Sequence, residues 1–476
     1  MEAEIQVKLS PEQEKAIAED VVKETRRDFL RVVTQTTDCQ TSSEDKIKNG
    51  HKPFSCPRAI SNHGDPEVAK YLALKRACEK GYADCYTNCN SQYVYTLFNL
   101  CKDIIGTAKK YIGSFIGLRI MVLNMEFIEV FVKEFGVEEK QITFVTSCPA
   151  KANAIKQEFS DVEVIVLNFN EFLNGSSVMA KRKFDCVVMN PPFSASQDQK
   201  DIGIRGRGTS LWNNFVNHAF NILNKNGSIA VIHPSGWRNV DGGFKKIQET
   251  ILSHQIEYLN INNVDEGMRT FDAGTRYDWY IARKEKPSHN TTIIDEINEE
   301  VSLNLMDVSF IPNGKLNEVF SLLAKGDEKK VDILRSYSDY EPRKPWMQKE
   351  KGGEYIFPCI NNVSSITDSP SCLWYSKINS NGHFGISKII FGVQVSGVLN
   401  DFNGDYGLCQ HCSAIVDEKK NFEQIKKALK SEKFIELMKM CDFGGNRDRY
   451  NWRVIKEFRK DFWKEFIGEK GKVNVQ

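Results

Sequence analysis

The chain has 476 residues, 41% apolar and 27% charged, with a formal net charge of +1. This length predicts two domains with a small extra segment, in an ordinary soluble globular balance able to bury a sizeable core. No apolar run approaches the ~18–20 residues of a membrane span, and the near-neutral charge leaves a nucleic-acid partner only local basic patches to meet. Residues 1–60 read as a helical arm followed by a flexible linker, TQTTDCQTSSEDKIKNGHK. Residues 65–113 read as helical in two pieces, joined by the turn-rich GYADCYTNC. Strands and helices then alternate. LRIMVLN (118–124) is a strand, and 127–136 has helical period ended by Gly136. QITFVTSC (141–148) is a strand, and 149–159 a helix opened by Pro149. VEVIVLNF (162–169) and FDCVVMN (184–190) are strands. After a loop containing GIRGRG, residues 211–227 predict an amphipathic helix with Leu211, Phe215, Ala219 and Leu223 on one face and a glycine stop. SIAVIHP (228–234) is a strand, 244–254 a helix, and IEYLNINNV (256–264) and TRYDWYIARK (275–284) are strands.

This alternation predicts an α/β fold, a mostly parallel sheet with helices on both faces. The last two strands follow one another without a helix, which predicts an antiparallel edge. Ligands of such sheets bind beyond the carboxyl ends of the strands, where Asn124, Ser147, Asn168 and Asn190 fall. After Lys286 the pattern changes to short mixed elements, so the domains are expected at 61–286 and 287–476 behind the arm at 1–60.

The polar, acidic N-terminus does not read as a secretory signal, and thirteen cysteines without a framework fit reduced thiols in an intracellular, soluble protein. Cys85 and Cys89, the pair Cys409 and Cys412 around His411, and Cys441 fall short of the four ligands of a zinc site, so no metal is expected.

The stretch FDCVVMNPPFSASQ (184–197) carries the chemistry. Pro191 and Pro192 remove two backbone donors and stiffen the corner. The Asn190 carboxamide and the Pro191 carbonyl are then two acceptors in a rigid frame, suited to an NH2 group. Phe193 offers an apolar face for a flat ring. An amine on an aromatic ring is a poor nucleophile because its lone pair is conjugated. Two acceptors on its protons favour a pyramidal nitrogen able to attack a methyl sulfonium in line.

Asn190 to Phe193 resembles the N-P-P-F/Y motif of S-adenosyl-L-methionine-dependent amino-methyltransferases. LWNNFVNHAFNILNKNGSIAVIHPSGWRN (211–239) and GTRYDWYIARK (274–284) resemble the segments after that motif in adenine-N6 DNA methyltransferases of type II/IIG restriction–modification systems. DCYTNCNSQYVYTLFNLC (84–101) resembles their motif with an aromatic residue and Thr before a helix, and NWRVIKEFRKDFW (451–463) their C-terminal end. The resemblance implies a Rossmann-like methyltransferase domain plus a C-terminal α+β target-recognition domain. It implies catalysis by Asn190, Pro191, Pro192 and Phe193 on an adenine flipped out of double-stranded DNA. By position, Thr87, Asn124, Ser147 and Asn168 are implied at the cofactor. Arg205 and Arg207 of the glycine-rich loop, with Lys349, Arg447 and Arg449, are expected on DNA. A separate restriction endonuclease is a compatible partner, and a monomer or weak dimer is expected.

The cofactor half departs from the family. VLNMEF has no glycine after the first strand, so Met125 or Phe127 would stand in cofactor space. Ser147 and Asn168 stand where the family has acidic residues, and Asn88 where it has proline. Two rival readings follow: a scaffold or DNA-binding protein with a collapsed cofactor site, and a methyltransferase acting on RNA adenine or protein glutamine.

Overall fold

The computed structural model describes residues 96–467, except 97, 148, 177, 180, 194–209, 241, 272, 336–337, 393–396 and 444–449. The expected arm and linker, Thr87, and the cysteines at 85 and 89 lie outside the described residues.

Nine strands form one sheet: β1 (Ile120–Val122), β2 (Ile142–Thr146), β3 (Glu163–Val166), β4 (Phe184–Met189), β5 (Leu223–Pro234), β6 (Gln255–Asn262), β7 (Tyr277–Arg283), β8 (Thr291–Ile294) and β9 (Glu300–Leu303). Their order is β3-β2-β1-β4-β5-β7-β6-β8-β9. β3, β2, β1, β4 and β5 are mutually parallel. The central strands are apolar on both faces because both are covered. Met121, Val187, Met189, Ile229 and Val231 face one layer. Their neighbours Ile120, Val122, Cys186, Val188, Ala230 and Ile232 face the other. The period of two in these strands therefore divides one apolar run between two cores. The structure is α/β, as the alternation predicts.

Three details differ from the sequence expectation. The antiparallel strand is internal rather than an edge: β7 lies between β5 and β6 and runs against both. A short helix, Val264–Phe271, turns the chain back for this insertion. The sheet also continues past Lys286 through β8 and β9. Finally, the amphipathic helix is Trp212–Ile222, and the chain enters β5 directly at Leu223. Gly227 serves a close approach instead of a helix stop, since a Cβ there would come within 3.1 Å of the Asn224 carbonyl oxygen and 3.2 Å of that of Asp185. Gly136, by contrast, takes the left-handed conformation (φ 64) at the end of its helical segment, the geometry that favours glycine.

The remaining strands are β10 (Asp332–Leu334), β11 (Met347–Gln348), β12 (Phe357–Val363), β13 (Pro370–Ser376), β14 (Lys388–Gly392), β15 (Val398–Asp401), β16 (Gly407–Leu408) and β17 (Cys412–Val416). They form two four-stranded sheets, β10-β17-β14-β15 and β11-β13-β12-β16. Helices Phe422–Leu429, Glu432–Lys439 and Trp452–Glu457 pack with the first of these around Ile389, Phe391, Phe434 and Phe458. The last of these helices stops at Glu457, because Phe458 is extended and bridges to Leu323.

A buried charge ties the large sheet to the segment 311–313 beyond β9. Arg238 and Asp278 are both fully buried, with Nε donating to Oδ2 at 2.7 Å. The other guanidinium nitrogens donate to the carbonyl oxygens of Ile311 and Pro312 (2.7 and 3.1 Å) and to Asn313 Oδ1 (2.8 Å). Among the described residues, no group of metal-ligating side chains could hold an ion. Cys409 and Cys412 are buried, and burial pushes the Cys412 thiol up to about 12.

Candidate active site at the β1–β4 switch point

The strand order reverses between β1 and β4, and the crevice beyond their carboxyl ends is where an open α/β sheet binds its ligand. Asn124 follows β1 and Asn190 follows β4, so the fold brings them side by side. Both are only 2% exposed. The Asn190 N–H donates to Asn124 Oδ1 at 2.7 Å, and Asn124 Nδ2 donates to the Asn190 carbonyl oxygen at 3.1 Å. Asn124 therefore commits its carboxamide to the Asn190 backbone. It also stands at the N-terminal end of the helix Met125–Glu129.

The Asn190 side chain is held at one end only. Nδ2 donates to Thr96 Oγ1 at 3.0 Å. Oδ1 is buried and finds no hydrogen-bond partner among the described residues. Leaving such an acceptor unpaired costs about 1–3 kcal/mol, so it calls for an explanation beyond folding. Pro191 and Pro192 are buried beside it. Phe193 is half-buried and meets Phe271 edge-on, with ring centroids 5.5 Å apart. Its carbonyl oxygen accepts from the Leu211 N–H at 3.2 Å, which closes the base of the long loop.

The sequence reading places the aromatic–Thr pair at Tyr86-Thr87 and misses Thr96. The same pair recurs at Tyr95-Thr96, directly before the helix Phe98–Ile112 that packs on the sheet. Distance to the helix was the available signal. Asn168 caps the helix Phe169–Leu173: its Oδ1 accepts from Glu171 N–H, and the Glu171 carboxylate accepts from Asn168 N–H, both at 2.9 Å. Ser147 is half-buried at the end of β2. Phe127 is fully buried in the core layer that also takes in Phe193, and Met125 packs half-buried on the same layer.

Of the residues expected on DNA, Arg205, Arg207, Arg447 and Arg449 lie outside the described residues. Lys349 is in the second half of the chain, where its ammonium donates to the Leu373 carbonyl oxygen at 2.9 Å and sits over the Trp374 ring.

His233 is enclosed near the carboxyl end of β5, with Trp212 stacked on it at 4.1 Å. Nδ1–H donates to the Pro234 carbonyl oxygen (3.0 Å), which leaves Nε2 to accept from the Tyr280 hydroxyl (3.2 Å). Burial pushes this imidazole down to about 3, so it is neutral at physiological pH and has no role as a charged group. Trp237 is fully buried, and its Nε1 donates to Asp278 Oδ2 at 2.8 Å.

Residues 122–266 match the family profile described as Eco57I restriction-modification methylase. That span opens on β1 and contains Asn124 and the whole Asn190–Phe193 corner. Over that span the chain is similar to the restriction-modification methylases the profile describes. No curated protein matches this chain. Similar solved structures include the modification subunit of a putative type I restriction enzyme from Vibrio vulnificus, with 14% identity over 51% of this chain and 53% of that one at a TM-score of 0.34. The type I methyltransferase subunit from Streptococcus thermophilus gives 15% identity over 55% and 52%, at 0.36. The type IIG restriction endonuclease BpuSI gives 10% identity over 86% and 66%, at 0.41. The chain spans about half the length of the type I subunits it resembles.

Proposed function

We propose that this protein is a restriction-modification methyltransferase that transfers a methyl group to the exocyclic N6 amine of an adenine flipped from double-stranded DNA. The reading rests on one observation: the buried Asn190 Oδ1, unpaired among the described residues, at the switch point of the sheet. That oxygen accepts one N6 proton, and the Pro191 carbonyl accepts the other. Phe193 carries the base plane. As charge develops on nitrogen, the two fixed oxygens stabilise it without having to reorganise. No strong general base is required, and neutral His233 supplies none.

S-adenosyl-L-methionine, when bound, supplies an electrophilic methyl on a sulfonium. The crevice suits it at the transfer end, where Oδ1 faces the developing positive charge. Ser147 is the remaining polar side chain assigned to the cofactor from β2. The residues beyond β9, with Lys349 and the arginines of the two glycine-containing loops, serve as the target-recognition domain. A separate restriction endonuclease is a compatible partner.

The decisive experiment incubates the protein with double-stranded DNA, single-stranded RNA or a glutamine-containing peptide, each with methyl-labelled cofactor. Digestion then identifies the modified group. N6-methyladenine in DNA, lost in Asn190→Ala by about 100-fold, is expected. Absence of label from DNA despite saturable cofactor binding refutes the DNA assignment. Absence of cofactor binding refutes the enzyme.

A further inference from the structure

Outside the active-site corner, the structure holds a groove of about 410 Å³ between the helices Phe169–Leu173 and Trp212–Ile222. Five asparagines line it: Asn170 and Asn174 from one side, Asn214, Asn217 and Asn221 from the other. On the longer helix the spacing is i, i+3 and i+7, which puts those three carboxamides on one face. None of the five carboxamides hydrogen-bonds within the protein among the described residues, although Asn124, Asn168 and Asn190 nearby are all bonded. His218 lines the same groove, is 9% exposed, and has an enclosed Nε2 with no partner among the described residues. Its ring packs edge-on against Phe172 at 4.5 Å, and burial holds its pKa below the usual histidine value, so it is neutral. Leu173 and Leu211 supply the apolar part of the lining, and no charged side chain contributes.

The geometry points to a binding site for an extended, uncharged stretch of polypeptide, read through its backbone. A carboxamide offers one acceptor and an NH2 donor on the same plane, the complement of a peptide group's N–H and C=O. From Asn214 to Asn221 the helix rises about 10 Å, the length of about three extended residues. A polynucleotide is disfavoured, because phosphates are held by cations, the lining has none, and Lys183 at its rim is bonded to the Asn221 carbonyl oxygen at 2.6 Å. The groove ends at Leu211, whose N–H donates to the Phe193 carbonyl oxygen, so an occupant would sit one hydrogen bond from the catalytic corner.

The test is fluorescence anisotropy on the full chain with labelled, end-capped pentapeptides of Ala, Ser, Val and Leu in varied order. Backbone reading requires saturable binding that tolerates sequence, weakens about 10-fold in Asn217→Leu and again in Asn174→Leu, and disappears when the peptide nitrogens are methylated. Because His218 is already neutral, binding should be level between pH 7 and pH 8. Circular dichroism and thermal unfolding of the variants check that they are folded, independently of any methyl transfer. The inference is overturned if no peptide saturates, if N-methylated peptides bind as well, or if labelled oligo-dA binds the groove more tightly and is displaced by Asn217→Leu.

Discussion

Replacing Thr96 with valine tests whether the Asn190 carboxamide is presented rather than merely present. Valine keeps the shape of threonine and removes the oxygen that accepts from Asn190 Nδ2 at 3.0 Å. In the productive orientation Oδ1 faces the target amine, so Nδ2 must find its acceptor behind, at Thr96. Without it a buried N–H is orphaned, at a cost of about 1–3 kcal/mol. Borne in that orientation, this raises the barrier and lowers kcat by roughly 5-fold to 100-fold. Thr96→Ser restores the oxygen and should restore kcat. Single-turnover methyl transfer at saturating cofactor and DNA is the assay, with KM for DNA expected to change little. The double variant supplies the stricter check. In an Asn190→Ala background there is no carboxamide to orient, so Thr96→Val should cost nothing further. An undiminished kcat in Thr96→Val, or an equal loss in both backgrounds, refutes the role.

Other consequences arise from the same geometry. Asn124→Ala removes two buried hydrogen bonds to the Asn190 backbone and should cost about 2–3 kcal/mol in urea unfolding, with methyl transfer falling in parallel. His233 has its folded pKa depressed to about 3, so the unfolded chain takes up its proton first as pH falls. Its contribution to stability is complete above about pH 6.5 and is lost below, by about 2 kcal/mol between pH 7 and pH 5, a loss that His233→Gln should abolish. Arg238→Ala orphans the buried Asp278 carboxylate and should destabilise by about 3–5 kcal/mol, and Arg238→Lys should not rescue it, because an ammonium cannot reach Asp278, Ile311 and Asn313 together.

What the sequence made legible was what depends on short range. Strand runs such as Phe184–Met189 and the stiff Asn190–Phe193 corner are fixed by neighbours in sequence, and each falls where its residues predict. What it hid depends on pairing. That β7 inserts between β5 and β6 is decided by which edge of β5 remains open, and TRYDWYIARK reads the same either way. Asn124 reads as a residue for a ligand because it ends a strand; the partner that claims it, the Asn190 backbone, is 66 positions away. Thr96 and Thr87 differ only in distance from a helix whose start could not be read to better than a few residues.

The departures in the cofactor half then take on a different meaning. The glycine-free turn after β1 places Phe127 in the core and Asn124 against Asn190, so this turn braces the acceptor rather than opening room beneath it. A site that had lost its chemistry would have no reason to keep a buried carbonyl oxygen unpaired at a cost of about 1–3 kcal/mol, with three hydrogen bonds from Asn124 and Thr96 arranged around it. Relaxation would instead turn Oδ1 toward a donor. An acceptor left unpaired among the described residues, at the crevice where the strand order reverses, weighs for the proposed transfer site and against the collapsed scaffold.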